Sequence, residues 1–122
     1  MTGGQMAPTT LVGQKSTTSQ SGRAPEQSGF PMRVSELLAT LDGAVYVERV
    51  ALNTPANVIK AKKAVRRAFE VQEKKLGFSF VEFVSSCPTN WGLSPLAALE
   101  FVNDKMLPMY PLGVFRQPEG GV

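Results

Sequence analysis

Histidine is absent from all 122 residues. That removes imidazole general bases, His-based triads and His metal ligands from this chain. Cysteine occurs once, as Cys87, so no disulfide can close within the chain and a stapled, secreted scaffold is not implied. A zinc site confined to the chain would have to join one thiolate to carboxylates, an unusual donor set. The apolar runs fall far short of the ~20 residues a membrane helix needs, and the polar, Gly-rich opening does not read as a leader. The expectation is a cytoplasmic chain with no membrane segment. Net charge is only +3, too little to imply nucleic acid unless it clusters. Chemistry carried here must draw on a cofactor or on a partner subunit.

With 43% hydrophobic residues, the chain suits one domain with a modest core. It divides into a loop region at 1–31, an α/β core at 32–116 and a tail at 117–122. Its opening, Met1-Thr2-Gly3-Gly4-Gln5-Met6-Ala7-Pro8-Thr9-Thr10, places two glycines between polar residues. Glycine lets the backbone approach a ligand closely, and its amides can face an anion; a plain turn reads the same way. Residues 11–31 are rich in Ser, Thr, Gly, Gln and Pro and show neither helical nor strand period. Such a stretch is either a functional loop or a disordered linker. Regular order is expected from about Met32.

Val34, Leu37, Leu38 and Leu41 recur at helical spacing and predict a short helix with its leucines buried, stopped by Asp42-Gly43. Val45-Tyr46-Val47-Glu48-Arg49-Val50 reads as a strand. Thr54-Pro55 then supplies an N-cap and an N1 proline for a helix predicted to reach Leu76 and to bury Val58, Ala61, Val65, Ala68 and Phe69. Phe78-Ser79-Phe80-Val81-Glu82-Phe83-Val84 is apolar on both alternating faces except at Ser79 and Glu82, as in a strand covered on both sides of a parallel sheet. Strand, helix and strand make a βαβ unit. Ser94-Pro95 caps a last helix carrying Leu96, Leu99, Val102 and Met106, ended by Pro108.

Cys87 follows the second strand, at the end where open α/β sheets place ligands. A lone cysteine is more often a buried structural residue, and no histidine or adjacent cation is there to make it a nucleophile. Trp91 could shield a group bound at Cys87 or could be core. The run Ala61-Lys62-Lys63-Ala64-Val65-Arg66-Arg67-Ala68 could follow phosphates, but without interleaved aromatics it reads better as a solvated helix face.

Several ordered motifs together resemble one family. Thr2-Gly3-Gly4-Gln5-Met6-Ala7-Pro8-Thr9-Thr10, Gly13-Gln14-Lys15-Ser16-Thr17-Thr18-Ser19-Gln20-Ser21-Gly22-Arg23, Ser86-Cys87-Pro88-Thr89-Asn90-Trp91-Gly92 and Tyr110-Pro111-Leu112-Gly113-Val114-Phe115 resemble the thiamine diphosphate-binding β subunit of 2-oxoacid:ferredoxin oxidoreductases. Gln20-Ser21 departs from the family's more usual Pro-Tyr, and the family's Gly-Asp-Gly motif is absent from this chain. The resemblance is to the C-terminal half of such a subunit, cut inside the cofactor site.

The resemblance implies an α/β fold, part of a doubly covered, mainly parallel sheet of the thiamine diphosphate-binding type. It implies oxidative, coenzyme A-dependent decarboxylation of a 2-oxoacid with ferredoxin as electron acceptor. Met1, Thr2, Gly3, Gly4 and Gln5 would lie beside thiamine diphosphate, with Met1 facing its reactive carbon. Cys87 would give one thiolate to a [4Fe–4S] cluster. The Mg2+ ligands, the other cluster cysteines and an α subunit would come from outside this chain, which alone would be inactive. A non-catalytic assembly module retaining the scaffold is the alternative, with a nucleic-acid binder acting through the basic helix as a third.

Overall fold

The computed structural model describes residues 3–87 and 91–120. At its centre lies β1 (Ala44–Ala51), whose Tyr46, Val47, Val50 and Ala51 are all buried. β-Branched and aromatic side chains fit a pleated surface with neighbours on both faces. β2 (Phe78–Val84) runs parallel beside it, pairing Val47 with Phe80 and Ala51 with Val84. On the other edge β3 (Gly113–Arg116) pairs antiparallel, giving a three-stranded mixed sheet in the order β2-β1-β3. The predicted α/β class and doubly covered sheet hold. The buried central strand, however, is β1, whereas β2 is an edge strand among the described residues and leaves Phe78 and Phe83 exposed.

One face of the sheet is covered by α3 (Pro55–Glu73), which connects the parallel strands. Thr54 caps it as its sequence requires, Oγ1 accepting from the Asn57 N–H at 3.2 Å. Ala61 and Ala64 pack on Val50 and Val81; small side chains here let the helix lie close to the sheet. Phe69, expected in this stripe, is 65% exposed, and Val71 takes the inward position. The helix also stops short of Leu76. Lys75 adopts the left-handed region (φ 52°), and Gly77 (φ 145°) then passes β1 so closely that a Cβ would sit 2.9 Å from Val45 Cγ1.

Two short helices precede β1: α1 (Pro25–Ser28) and α2 (Val34–Leu38). The helix at 34 exists, but its orientation is the reverse of the periodicity's. Leu37 and Leu41 are exposed while Ser35 is buried. Polar residues win the inward side because Arg49 of β1 lies beneath them, and a buried guanidinium needs partners.

On this second face, α4 (Pro95–Phe101) continues through a π-helical stretch, Val102–Met106, into α5 (Leu107–Met109). Ser94 Oγ caps α4 from the Ala97 N–H. Ala98, Val102, Met106 and Tyr110 are all buried, at a constant spacing of four. In an α-helix each such step drifts by ~40°; the wider π turns bring the row back onto one face. Pro108 contributes, since it has no N–H to bond back along the helix. It lies within α5 rather than ending the helix before it, and Leu96 is 74% exposed.

Candidate functional site

The stretch from Gly3 to Met32 contains little regular structure yet is extensively hydrogen-bonded, so order does not wait for Met32. Its centre is Arg23, 5% exposed. The guanidinium donates to six backbone carbonyls: Gly29 from Nε, Ala7, Pro8 and Thr10 from Nη1, and Ser28 and Phe30 from Nη2, all at 2.9–3.1 Å. An arginine carries five N–H groups in a fixed fork, so Nη1 must share. No lysine could reach this many acceptors. Tight turns support the hub: Thr10 Oγ1 accepts from the Ala7 N–H, Gln14 Oε1 accepts from the Leu11 N–H, and the Met32 N–H donates to Pro8 O.

This framework holds the glycine pair. Gly3 is buried and its carbonyl accepts from the Thr17 N–H at 3.1 Å, while the Met6 N–H donates to Thr18 Oγ1 at 2.9 Å. Gly4 is half-buried and Gln5 exposed. Met1 and Thr2 lie outside the described residues, as does the Pro88-Thr89-Asn90 part of the cysteine motif.

Cys87 is half-buried, three residues past the end of β2, where its strand and β1 both present their C-terminal ends. Trp91 is half-buried: it packs on Phe101 with ring centroids 5.0 Å apart and lies against the cluster of Ala51, Val84, Val102, Met106 and Tyr110. Leu11 packs on that same cluster, and Tyr110 Oη donates to Thr9 O at 2.8 Å. The glycine-loop region and the cysteine segment, far apart in sequence, are therefore anchored on one core.

Between loop 11–15 and segment 91–105 lie two hollows of about 320 Å³ each, which share Gly13, Gln14 and Phe101. Lys15, Trp91 and Leu93 line the first, and Leu11, Val12 and Lys105 the second. Gln14 Nε2, Ser16 Oγ and Trp91 Nε1 are buried without a hydrogen-bond partner. Such a donor costs about 1–3 kcal/mol when left unmade.

A second polar centre was missed by sequence reading. Arg49 is 1% exposed. Its Nη1 and Nη2 grip Glu36 at 3.0 and 2.5 Å, its Nε donates to Glu82 at 2.8 Å, and Nη1 also reaches Pro111 O. Its plane lies over the rings of Tyr110 and Phe115, 5.2 and 4.9 Å from their centroids. Ser35 Oγ donates to Glu82 as well. Burial raises the Glu36 carboxyl, but hydrogen bonds and charge from Arg49 outweigh it and hold the group below its usual value. Burial likewise opposes the charged Arg49, and the two carboxylates more than restore it. Tyr46 is pushed far above the ordinary phenol range by burial and by its hydrogen bond to Glu48, and burial also raises Tyr110. Both tyrosines stay protonated at neutral pH, and the ion network is saturated by its own members. Nothing in it is poised for acid–base work; it is architecture.

Among the described residues no group of three or more His, Cys, Asp or Glu side chains could hold a metal ion, and no helix is long and apolar enough to cross a membrane. The basic face of α3 points to solvent, with Lys62, Lys63, Arg66 and Arg67 exposed and Arg66 paired with Glu70 at 3.4 Å.

No family model matches the chain, and no solved structure does. Curated sequences do. The chain is 45% identical over 116 residues to the ketoisovalerate oxidoreductase subunit VorA of Methanothermobacter marburgensis, covering 95% of this chain and 24% of that protein. It is 36% identical over 92 residues to the 2-oxoglutarate synthase subunit KorB of Methanocaldococcus jannaschii, covering 75% of this chain and 30% of that protein. KorB of Archaeoglobus fulgidus is also 36% identical, over 104 residues, 85% of this chain and 34% of that protein. The chain thus spans about a quarter to a third of the relatives it matches. By this similarity over nearly its whole length, it belongs with the subunits of 2-oxoacid oxidoreductases and corresponds to one portion of such a subunit.

Proposed function

We propose that this chain is part of an enzyme that oxidatively decarboxylates a 2-oxoacid, passing electrons to ferredoxin and the acyl group to coenzyme A. The carrying observation is the 45% identity across 95% of the chain to a ketoisovalerate oxidoreductase subunit. Identity to the 2-oxoglutarate synthase subunits is lower, 32–36%, which favours a branched-chain 2-oxoacid as substrate.

The residues present supply only part of what the implied cofactors need. A [4Fe–4S] cluster is usually held by four thiolates, and the chain contains one cysteine. Cys87 fits the role of a single ligand: it is half-buried, at the end of the sheet where β1 and β2 both present their C-termini. The remaining thiolates would come from the rest of the subunit. Thiamine diphosphate, when bound, supplies the electron sink for decarboxylation. On this chain, Thr17 and Thr18 fix the backbone around Gly3, Gly4 and Gln5, the loop that would abut the cofactor together with Met1 and Thr2. The Mg2+ ligands and the carboxylate that activates the cofactor would lie outside this chain, as would the α subunit. The chain alone would then be inactive.

The test is Cys87→Ser in a subunit completed with the remaining sequence of the ketoisovalerate relative. Serine preserves size but offers a hard oxygen to iron, a poor exchange for sulfur. Iron per subunit should fall, or the paramagnetic signal of the reduced cluster should change, and ferredoxin reduction should collapse. Unchanged iron and unchanged ferredoxin reduction would leave Cys87 as a packing residue and favour a non-catalytic assembly module.

A further inference from the structure

The small net charge of the chain conceals a cluster. Residues 55–75, nearly all of them α3, carry seven Lys and Arg against two Glu, net +5, whereas the remaining residues carry six against eight, net −2. Ile59, Lys62, Lys63 and Arg66 recur at i, i+3, i+4 and i+7, which sets them along one stripe of the helix. The stripe lies away from the sheet: all four residues are exposed, Ile59 at 57%. Arg66 pairs with Glu70, but among the described residues no carboxylate lies within ion-pair distance of Lys62 or Lys63. One exposed isoleucine is ordinary. Set among three cations it becomes an apolar centre with a charged rim, the anatomy of a protein interface. A nucleic-acid backbone would use the cations and not the isoleucine. A single helix face of this size suits the small, short-lived contacts of electron-transfer partners rather than a permanent assembly.

Position adds to composition. Ala51 at the end of β1 pairs with Val84 at the end of β2; Pro55 opens α3 four residues beyond the first, and Cys87 lies three residues beyond the second. The first turns of α3 and Cys87 therefore share one end of the sheet. We propose that the stripe of Ile59, Lys62, Lys63 and Arg66 docks an acidic ferredoxin. This rests on the redox reading above, in which ferredoxin takes the electrons. The acceptor suits the surface because thiolate ligands leave an iron–sulfur centre with net negative charge, and a cationic face steers such a partner and fixes its orientation.

The full chain is titrated with oxidised [4Fe–4S] ferredoxin by isothermal calorimetry, an assay that needs neither a cluster nor thiamine diphosphate on the chain. A Kd on the order of tens of micromolar at low salt is expected, weakening steeply as ionic strength rises. Lys62→Glu combined with Lys63→Glu should weaken binding at least about tenfold, and Ile59→Ser, which leaves the charge untouched, about threefold. Lys15→Glu combined with Lys105→Glu changes net charge equally but away from α3, and should leave Kd within about twofold of wild type. Circular dichroism establishes that each variant is folded. In a subunit completed with the remaining sequence of the ketoisovalerate relative, the Lys62 and Lys63 reversal should raise KM for ferredoxin about tenfold. Turnover with methyl viologen, a small acceptor that needs no docking face, should stay unchanged. No binding by the folded chain, equal weakening by the control pair, an unaltered KM in the reversal pair, or tighter binding of a single-stranded oligonucleotide than of ferredoxin overturns the proposal. Binding with the expected charge dependence supports the docking face even where the completed subunit reduces no ferredoxin, and that combination counts against the redox reading alone.

Discussion

Replacing Arg49 by alanine should cost about 3–5 kcal/mol, the range for removing one partner of a buried ion pair. The two carboxylates do not share that cost equally. Glu36 has a side chain 30% exposed and can regain water when the guanidinium is gone. Glu82 is 15% exposed and would retain only Ser35 as a donor. Most of the penalty therefore sits on Glu82, with smaller losses from the Pro111 carbonyl and the two ring faces. Domains of this kind hold only about 5–15 kcal/mol in reserve, so the alanine variant should approach unfolding. Arg49→Lys keeps the charge but not the fork, and should lie between wild type and alanine. Arg49→Met combined with Glu82→Gln removes the stranded charge and should recover a large part of the loss. Urea unfolding followed by circular dichroism measures all three. An alanine variant within about 1 kcal/mol of wild type would refute the argument, because it would mean the pair contributes no more than an exposed salt bridge.

Acid should act on the same network. Since the folded Glu36 carboxyl titrates below its unfolded value near 4.5, its contribution is present above that value and disappears as pH falls through the lower folded one; Glu36→Gln should flatten the stability profile there. Arg23→Ala should weaken the chain by about 2–4 kcal/mol, and amide exchange should accelerate at Gly13 and Met32 well before it does in β1. Tyr110→Phe deletes the bond to Thr9 O and should cost about 1 kcal/mol by urea titration. Gly77→Ala places a Cβ 3.0 Å from Gly43 O at a φ unfavourable to alanine, and a loss of about 1–3 kcal/mol in thermal or urea unfolding is expected.

The elements that sequence reading located well are those with local chemical signatures. Thr54-Pro55 and Ser94-Pro95 mark helix starts because the cap oxygen and the proline act within one turn, and both caps form. The strands follow from their β-branched and aromatic runs. Errors arose where a distant partner overrides local pattern. Leu37 and Leu41 look like a buried face until the buried charge of Arg49 draws Ser35 and Glu36 inward. The edge position of β2 follows from pairing rather than composition, since an apolar strand reads alike at the edge and in the centre. Arg23 and Arg49 were illegible as hubs, because an arginine's partners are carbonyls and carboxylates brought together only by folding. The one available signal for Arg23 was its place at the end of a motif otherwise made of Ser, Thr, Gly and Gln with a single Lys. A long polar loop can be ordered only if its backbone carbonyls find donors, and a single arginine supplies most densely what such a segment lacks.

That arginine also bears on how the two motif-bearing segments could act together. Arg23 binds the carbonyls of Ala7, Pro8 and Thr10, which begin three residues after the glycine pair. The next residue, Leu11, packs on the cluster that also receives Trp91 and contains Val84, the last residue of β2 before the cysteine segment. Tyr110 belongs to that cluster and bonds the Thr9 carbonyl. A displacement of the glycine loop must therefore either break the Arg23 fork or shift the core that holds Val84 and Trp91. Electron transfer between a cofactor at the loop and a cluster at Cys87, the reaction proposed for this chain, needs a fixed separation rather than a mobile one. Here the same side chains that order the loop would set that separation. Loosening the loop through Arg23→Ala in a completed subunit should then slow ferredoxin reduction while leaving iron content intact. Cys87→Ser should reduce both. If Arg23→Ala instead lowers iron per subunit as far as Cys87→Ser does, the loop is a requirement for cluster assembly rather than a spacer between the two sites.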